Sequence, residues 1–277
     1  MRCLVTGAAG FVGSHLADHL LELGHQVRGI DSLVRGDLRH VSSRAEFHKA
    51  DIRGAYATAE LLRDIDWVFH TAAVSTTPWA VRNPVECNSI NVDGTLNLLE
   101  AARKHGVARF VFSSSNIVYA APTAYKVSKL AAEGYCEAYT HLYGLSTVAL
   151  RYSNVFGSLR QNPENCIASM RLSAKARGFI EVTGDGEQSR DFTNVEDVCR
   201  ANVLAAAQSN VTGQMDICTG INRTMNEVAA MFGVPVKHVG DRPGDVKHIR
   251  QNPGRAGDDL GFVPRVPFEQ GMAAYLA

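Results

Sequence analysis

Short apolar runs alternate with longer amphipathic stretches along the first half of the chain. Residues 3–5, 26–30, 66–69, 109–112 and 146–150 form compact apolar runs, the pattern of strands buried on both faces. Between them, residues 11–23, 84–105 and 125–143 carry apolar positions at helical spacing, and the second stretch begins at Pro84, a residue suited to a first helical turn. Strand and helix in alternation imply right-handed crossovers, so the expected fold class is α/β with a doubly wound parallel sheet. Past Arg151 the rhythm loosens, and glycines and prolines such as Pro163, Gly178, Gly184, Pro235 and Pro264 break it up. That punctuation predicts a smaller, loop-rich C-terminal lobe.

The first strand runs into Thr6-Gly7-Ala8-Ala9-Gly10-Phe11-Val12-Gly13, and this run opens a predicted helix, the context in which such glycine spacing carries weight. Gly7 permits a tight turn, Gly10 lets the backbone approach a pyrophosphate, and Gly13 lets helix and strand pack closely, with the helix N-terminus facing the anion. Asp31 ends the second strand, where a carboxylate accepts hydrogen bonds from an adenosine ribose diol and repels a 2′-phosphate. NAD is therefore the expected cofactor, rather than NADP. The expected division gives residues 1–151 to a Rossmann-type dinucleotide domain, to which 192–210 return, and residues 152–191 and 211–277 to a substrate-binding lobe across a cleft.

Tyr125 and Lys129 stand four apart on a predicted helix and so project on one face. A neighbouring ammonium favours the ionised form of a phenol, which makes it a proton acceptor for hydride chemistry. Charge narrows the partners: Lys+Arg and Asp+Glu each number 28, which leaves no basic footprint for nucleic acid or anionic lipid. Six scattered cysteines without a CxxC suit reduced thiols in a cytoplasmic protein, and no metal site is expected. The chain starts directly on its first strand and has no apolar stretch of membrane-span length, so neither a leader nor a membrane association is expected.

With the glycine run, Tyr125 and Lys129 in hand, the chain resembles the extended short-chain dehydrogenase/reductases, within them the NAD-dependent nucleotide-sugar epimerase/dehydratase group and its UDP-glucose 4-epimerase-like members. Further matches are Asp51-Ile52, His70-Thr71-Ala72-Ala73, Asn91-Val92-Asp93-Gly94-Thr95, Ser113-Ser114-Ser115, Arg151-Tyr152-Ser153-Asn154-Val155-Phe156-Gly157, Gly184-Asp185-Gly186-Glu187-Gln188-Ser189-Arg190-Asp191-Phe192 and Arg242-Pro243-Gly244-Asp245. The resemblance implies that Asp51 and Ile52 meet the adenine. It implies that Ser32, Arg35, His70, Ala72, Ala73, Asn91, Ser113 and Tyr152 surround the cofactor together with Gly7, Gly10, Phe11, Val12, Gly13 and Asp31. Asn154 would touch a nucleotide-sugar diphosphate, and Arg190 and Arg242, with Asp245 in the same segment, would meet its phosphates or ribose. Planar guanidinium groups suit that task through directed hydrogen bonds. By the same resemblance Tyr125 as phenolate takes the proton of the sugar C4 hydroxyl, Lys129 holds the phenol ionised and bonds the nicotinamide ribose, and Ser115 bonds the reacting oxygen. The helices at 84–105 and 125–143 would pair across a two-fold axis, giving a homodimer.

In the resembling 4,6-dehydratases an acidic pair follows the serine, and in the uronate decarboxylases a glutamate stands two positions after it. Here Asn116 and Ile117 occupy those places, and neither carries an acid or base. A 4-epimerase working through a transient 4-keto sugar is the expectation; a dehydratase, decarboxylase, 4-ketosugar reductase or non-catalytic NAD-binding protein are the alternatives. In the resembling epimerases the residue seven beyond the arginine that stands here as Arg242 lines the sugar pocket, and a bulky aromatic there excludes N-acetylhexosamines; here it is Ile249, so the resemblance implies room for a UDP-hexose or a UDP-N-acetylhexosamine. One departure stands out: Ser115 and Tyr125 are only ten positions apart (125 − 115 = 10), where relatives insert a dozen or more further residues. Either a pocket wall is lost or a stretch is missing from the sequence as written, and the shortness of the chain for its group favours the second.

Overall fold

The computed structural model describes residues 1–240 and 246–277. β1 (Arg2–Thr6), α1 (Phe11–Glu22), β2 (Gln26–Asp31), β3 (Glu46–Lys49), α2 (Ala55–Leu61) and β4 (Trp67–His70) follow one another, and β1 pairs in parallel with β2 on one side and β4 on the other. Leu4, Val5, Val68 and Phe69 have no exposed surface, as strands covered by helices on both faces require. α3 (Thr77–Arg82), α4 (Pro84–Asn88) and α5 (Gly94–Lys104) lead to β5 (Arg109–Ser115), and α6 (Ala124–Tyr143) leads to β6 (Thr147–Tyr152). The single helix expected over 84–105 is interrupted: Ser89–Asp93 is a π-helical stretch between α4 and α5. Its Asn91 faces inward, and Asn91 Oδ1 accepts from the Val74 N–H at 2.8 Å while Nδ2 donates to the Val74 carbonyl at 3.1 Å. A widened turn at this point aims one amide at the backbone after β4.

The second lobe begins with β7 (Asn154–Phe156), α7 (Cys166–Arg177), β8 (Ile180–Thr183) and β9 (Ser189–Asn194). α8 (Val195–Ala207) then packs on α1, β5 and β6, and β10 (Gly213–Ile217) pairs in parallel with β6. β11 (Asn222–Thr224), α9 (Met225–Ala230), β12 (Val236–Val239), α10 (Gly254–Leu260) and α11 (Phe268–Leu276) complete the described residues. The main sheet has the order β10-β6-β5-β4-β1-β2-β3, and the lobe holds the smaller sheets β11-β9-β7 and β12-β8. The lobe has its own core, where the Phe268 ring lies 5.0 Å from that of Phe156 and 5.3 Å from that of Phe192.

The expected boundary at residue 211 is corrected by β10, which belongs to the main sheet. A run as short as Met215-Asp216-Ile217 gives little sequence signal. What ties the return in place is Arg109, fully buried at the start of β5: its guanidinium donates to the carbonyls of Ala205 at 2.9 Å and Val211 at 2.7 Å and to Ser146 Oγ at 2.6 Å. That single side chain satisfies the carbonyls at the end of α8 and fixes the turn into β10.

The short stretch from Ser115 to Tyr125 closes without strain. Ser115 Oγ accepts from the Ile117 N–H at 3.2 Å, capping a 3₁₀ turn over Asn116–Tyr119, and no residue of 116–124 takes a positive φ. Thr123 Oγ1 then accepts from the Lys126 N–H at 3.1 Å and caps α6, which ends on Gly144 at φ 70°.

Candidate active site

β1 is flanked by β2 and β4, so the strand order reverses there, and ligands of open α/β sheets bind beyond the carboxyl ends at such a switch point. A cleft of about 1290 Å³ opens at that place and runs between the lobes. Its size exceeds the roughly 300–1,000 Å³ usual for one small ligand, and suits a dinucleotide together with a second molecule.

The glycine loop forms one end. Gly7 takes φ +69°, and a Cβ there would lie 2.9 Å from the Ala72 backbone; at Gly13 a Cβ would lie 2.1 Å from the Gly7 carbonyl oxygen. Both positions therefore require glycine. Gly10 caps α1 without a side-chain partner, which leaves the helix N–H groups aimed into the cleft. Asp31 Oδ2 accepts from the Ala9 N–H at 3.0 Å and Oδ1 from the Leu33 N–H at 2.8 Å, so the carboxylate is oriented while lone pairs stay available for a ribose diol. Phe11, Val12, Ser32, Arg35, Asp51 and Ile52 line the same end, and Asp51 is paired with Arg53 at 2.6 Å. These groups fit a dinucleotide with free ribose hydroxyls.

Further along, the walls are Ala72, Ala73, Ser113, Ser115, Tyr125, Lys129 and Tyr152, and beyond them Asn154, Arg190 and Ile249. The Tyr152 phenol is held by Ser113 Oγ at 2.9 Å and by Asn202 Nδ2, which donates to it at 2.8 Å. Lys129 Nζ donates to the Ser113 carbonyl at 2.7 Å. Asn116 Nδ2 donates to Asn154 Oδ1 at 3.1 Å, and Ile117 packs into the apolar cluster around Tyr125. The Asp191 carboxylate accepts from Thr219 and Ile221, while Arg190 Nη1 donates to the Ser189 carbonyl at 2.7 Å with its guanidinium in the cleft wall. Arg242 and Asp245 lie outside the described residues.

Two expected cofactor contacts are not in the wall. Asn91 is buried and serves as the clip on Val74 already described. His70 is buried with both ring nitrogens engaged, Nδ1 with Thr6 Oγ1 at 2.8 Å and Nε2 with Thr95 Oγ1 at 2.9 Å. Thr95 donates its own hydroxyl proton to the Asn91 carbonyl at 2.6 Å, so its oxygen must accept, and His70 is the Nε2–H tautomer. Burial, reinforced by Lys129, pulls its pKa down to about 3, so the ring is a neutral strut.

The expected lowering of Tyr125 by Lys129 is also revised. Burial pushes the Tyr125 phenol up to about 12, only partly opposed by its hydrogen bond with Ser115. Burial likewise draws Lys129 down to about 8, opposed first by Glu133. Desolvation is the largest cause of both shifts.

Sequence reasoning missed the segment between β7 and α7, residues 158–165, which crosses the cleft. Arg160 Nη1 donates to Asp18 Oδ2 on α1 at 2.8 Å, and Arg35 Nη2 donates to Glu164 Oε2 at 2.8 Å. Gln161, 6 % exposed, gives Nε2 to the Val155 carbonyl at 3.1 Å and leaves Oε1 without a protein partner in the cleft wall. No periodicity marks such a loop. Among the described residues no group of three or more His, Cys, Asp or Glu gathers as around a metal ion, and no helix is long and apolar enough to cross a membrane.

A glycine loop with an uncapped helix, an oriented acid and a buried Tyr/Lys pair in one cleft is matched by comparison with known proteins. The model of the NAD dependent epimerase/dehydratase family matches residues 3–220. The chain belongs to that family. NAD is thus its cofactor. A family relative, the UDP-glucose 4-epimerase of Mycolicibacterium smegmatis, is 34 % identical over 305 residues, spanning 99 % of this chain and 96 % of its own. The solved structure of UDP-glucose 4-epimerase from Thermotoga maritima with UDP-glucose superposes with a TM-score of 0.95 at 31 % identity, covering 100 % of this chain and 97 % of the other. The UDP-glucose 4-epimerase of Thermus thermophilus, solved in complex with NAD, gives 0.92 at 32 % identity, covering 100 % and 98 %. Epimerase/dehydratase family membership thus spans both lobes.

Proposed function

We propose that this protein is an NAD-dependent nucleotide-sugar 4-epimerase, acting on a UDP-hexose or UDP-N-acetylhexosamine through a transient 4-keto sugar. The observation that carries the reading is the pairing of Ser115, Tyr125 and Lys129 with two non-acidic followers: Asn116 is bonded to Asn154, and Ile117 is packed beside Tyr125. Elimination or decarboxylation needs a proton carrier there, and neither side chain can be one. The UDP-glucose 4-epimerases to which the chain is similar support the same choice.

The glycine loop and Asp31 would hold NAD, which would supply a hydride acceptor and donor at C4. The protein's own groups do the rest. Tyr125 Oη moves the C4 hydroxyl proton, Ser115 Oγ orients the same oxygen, and Lys129 holds charge beneath them. Arg190 meets the nucleotide's phosphates or ribose, and Asn154 touches the sugar diphosphate. Ile249, buried in the wall, leaves space beside the sugar C2 position. We also infer a cytoplasmic homodimer. Val85 of α4 and Val127 of α6 are 83 % and 57 % exposed on neighbouring helices, an apolar face that a second copy would cover. Sedimentation should give twice the monomer mass.

A panel of nucleotide sugars incubated without added cofactor tests the function. UDP-glucose or UDP-N-acetylglucosamine should equilibrate with its galacto epimer. Sugars left unchanged throughout the panel with NAD supplied would remove the reading, and stoichiometric consumption of reduced cofactor would replace it with a ketosugar reductase.

A further inference from the structure

Glu133 has no part in the reaction above, yet it lies at its centre. It stands one turn beyond Lys129 on α6 and is 3 % exposed. Its Oε1 accepts from Ser114 Oγ at 2.5 Å and from Arg151 Nε at 2.8 Å, and its Oε2 accepts from Arg151 Nη2 at 2.6 Å. Lys129 Nζ binds the carbonyl of Ser113, so Lys129 and Glu133 dock on consecutive residues of β5. Ser115, next in the run, engages Tyr125. Arg151 reaches onward: Nη1 donates to Tyr119 Oη at 2.9 Å, Tyr119 donates to Asp216 Oδ1 at 2.9 Å, and Asp216 Oδ2 accepts from the Asn252 N–H at 3.0 Å. The carboxylate thus joins the helix of the reacting pair, the serine strand, the short turn after Ser115 and β10.

We propose that Glu133 is the positioning residue of the Tyr125/Lys129 pair: it clamps α6 to the three-serine strand and supplies the negative charge that keeps the Lys129 ammonium protonated. The inference rests on Tyr125 and Lys129 being the reacting pair, and holds whichever sugar is the substrate. Among the described residues, the titratable groups facing Lys129 are few. On α6 they are Tyr125, Glu133 and Cys136; Cys87 faces it from α4 and His70 from β4. Burial keeps both thiols and the imidazole neutral, and the Arg151 charge on β6 is met by Glu133 itself. Glu133 is therefore the carboxylate that opposes the desolvation of the ammonium.

The test is the titration of Lys129 in the NAD-bound protein, followed by NMR of lysine labelled with 13C at Cε and assigned with Lys129→Met. No substrate is needed, so the outcome is separate from that of the sugar panel. Glu133→Gln should increase the acid dissociation constant of Lys129 about tenfold or more, a downward shift of one pH unit. Glu133→Asp, which keeps the charge and folds if Gln does not, should shift it less, and Ser114→Ala, which loses one anchor and no charge, should leave it in place. An unmoved midpoint in Glu133→Gln, or in Glu133→Asp an increase of tenfold or more, would overturn the proposal. An equal shift in Ser114→Ala would also overturn it, because packing alone would then set the charge of Lys129.

Discussion

Removing the Tyr125 hydroxyl takes away one proton carrier and leaves the glycine loop, Asp31 and the α1 N-terminus untouched. Tyr125→Phe should therefore lower kcat by roughly 10²- to 10⁴-fold while the purified protein still carries NAD, read from a perchloric-acid extract. Activity within tenfold of the parent would exclude Tyr125 as that carrier. Lys129 adds a pH dependence. With its pKa drawn down to about 8, turnover that needs the ammonium should decline as pH rises through that value. The i, i+4 spacing of these two residues was legible in the sequence because helix geometry dictates it. Their titration was not legible, since it depends on burial by residues far away in the chain, among them Cys87 and Val74. The same limit explains His70. The sequence places it at a strand end beside the cofactor, but its ring turns inward because Thr6 donates to its Nδ1 and Thr95, on the other side of it in the chain, accepts from its Nε2.

Between elements, that imidazole ties the end of β1 to β4 and to α5. A neutral folded histidine has a sign consequence: its pKa is about 3 when folded and near 6.5 when unfolded, so the unfolded chain binds the extra proton between those values. The stability His70 contributes is complete above about pH 6.5 and is lost progressively as pH falls toward 3. Thermal melts should show Tm falling over that window, with a shallower fall in His70→Gln; parallel curves would exclude the strut as the cause. The parallel sheet, α1 and α6 were legible from buried apolar runs, the glycine loop and helical periodicity. The π stretch Ser89–Asp93 was not, because one widened turn leaves apolar residues on the same side before and after it. Its signature is a tertiary contact, the Asn91 amide on Val74, and no local spacing announces that.

Across the whole molecule, the two lobes are joined over the dinucleotide end of the cleft by Arg160–Asp18 and Arg35–Glu164, four side chains that are about a third exposed. Partly exposed pairs contribute roughly 0.2–1 kcal/mol each and are screened by salt. The Arg160→Ala/Glu164→Ala double variant should therefore release NAD some two- to thirtyfold faster than the parent, measured by trapping the freed dinucleotide, and the difference should shrink in high salt. Equal release rates would show that residues 158–165 do not retain the cofactor. The loop over the dinucleotide end was the least legible part, since Arg160 and Glu164 lie on an aperiodic segment whose partners belong to the other lobe. The placement of β10 carries a further consequence, for biosynthesis. β6 leaves the ribosome with its outer edge unpaired, and the strand that covers it arrives only after β7, β8, β9 and two helices have been made. The nascent dinucleotide domain therefore presents an open, apolar parallel edge while the chain from Tyr152 to Gly213 is made, a state prone to pairing with other chains. Arg109 closes that interval by capturing the backbone just ahead of the late strand.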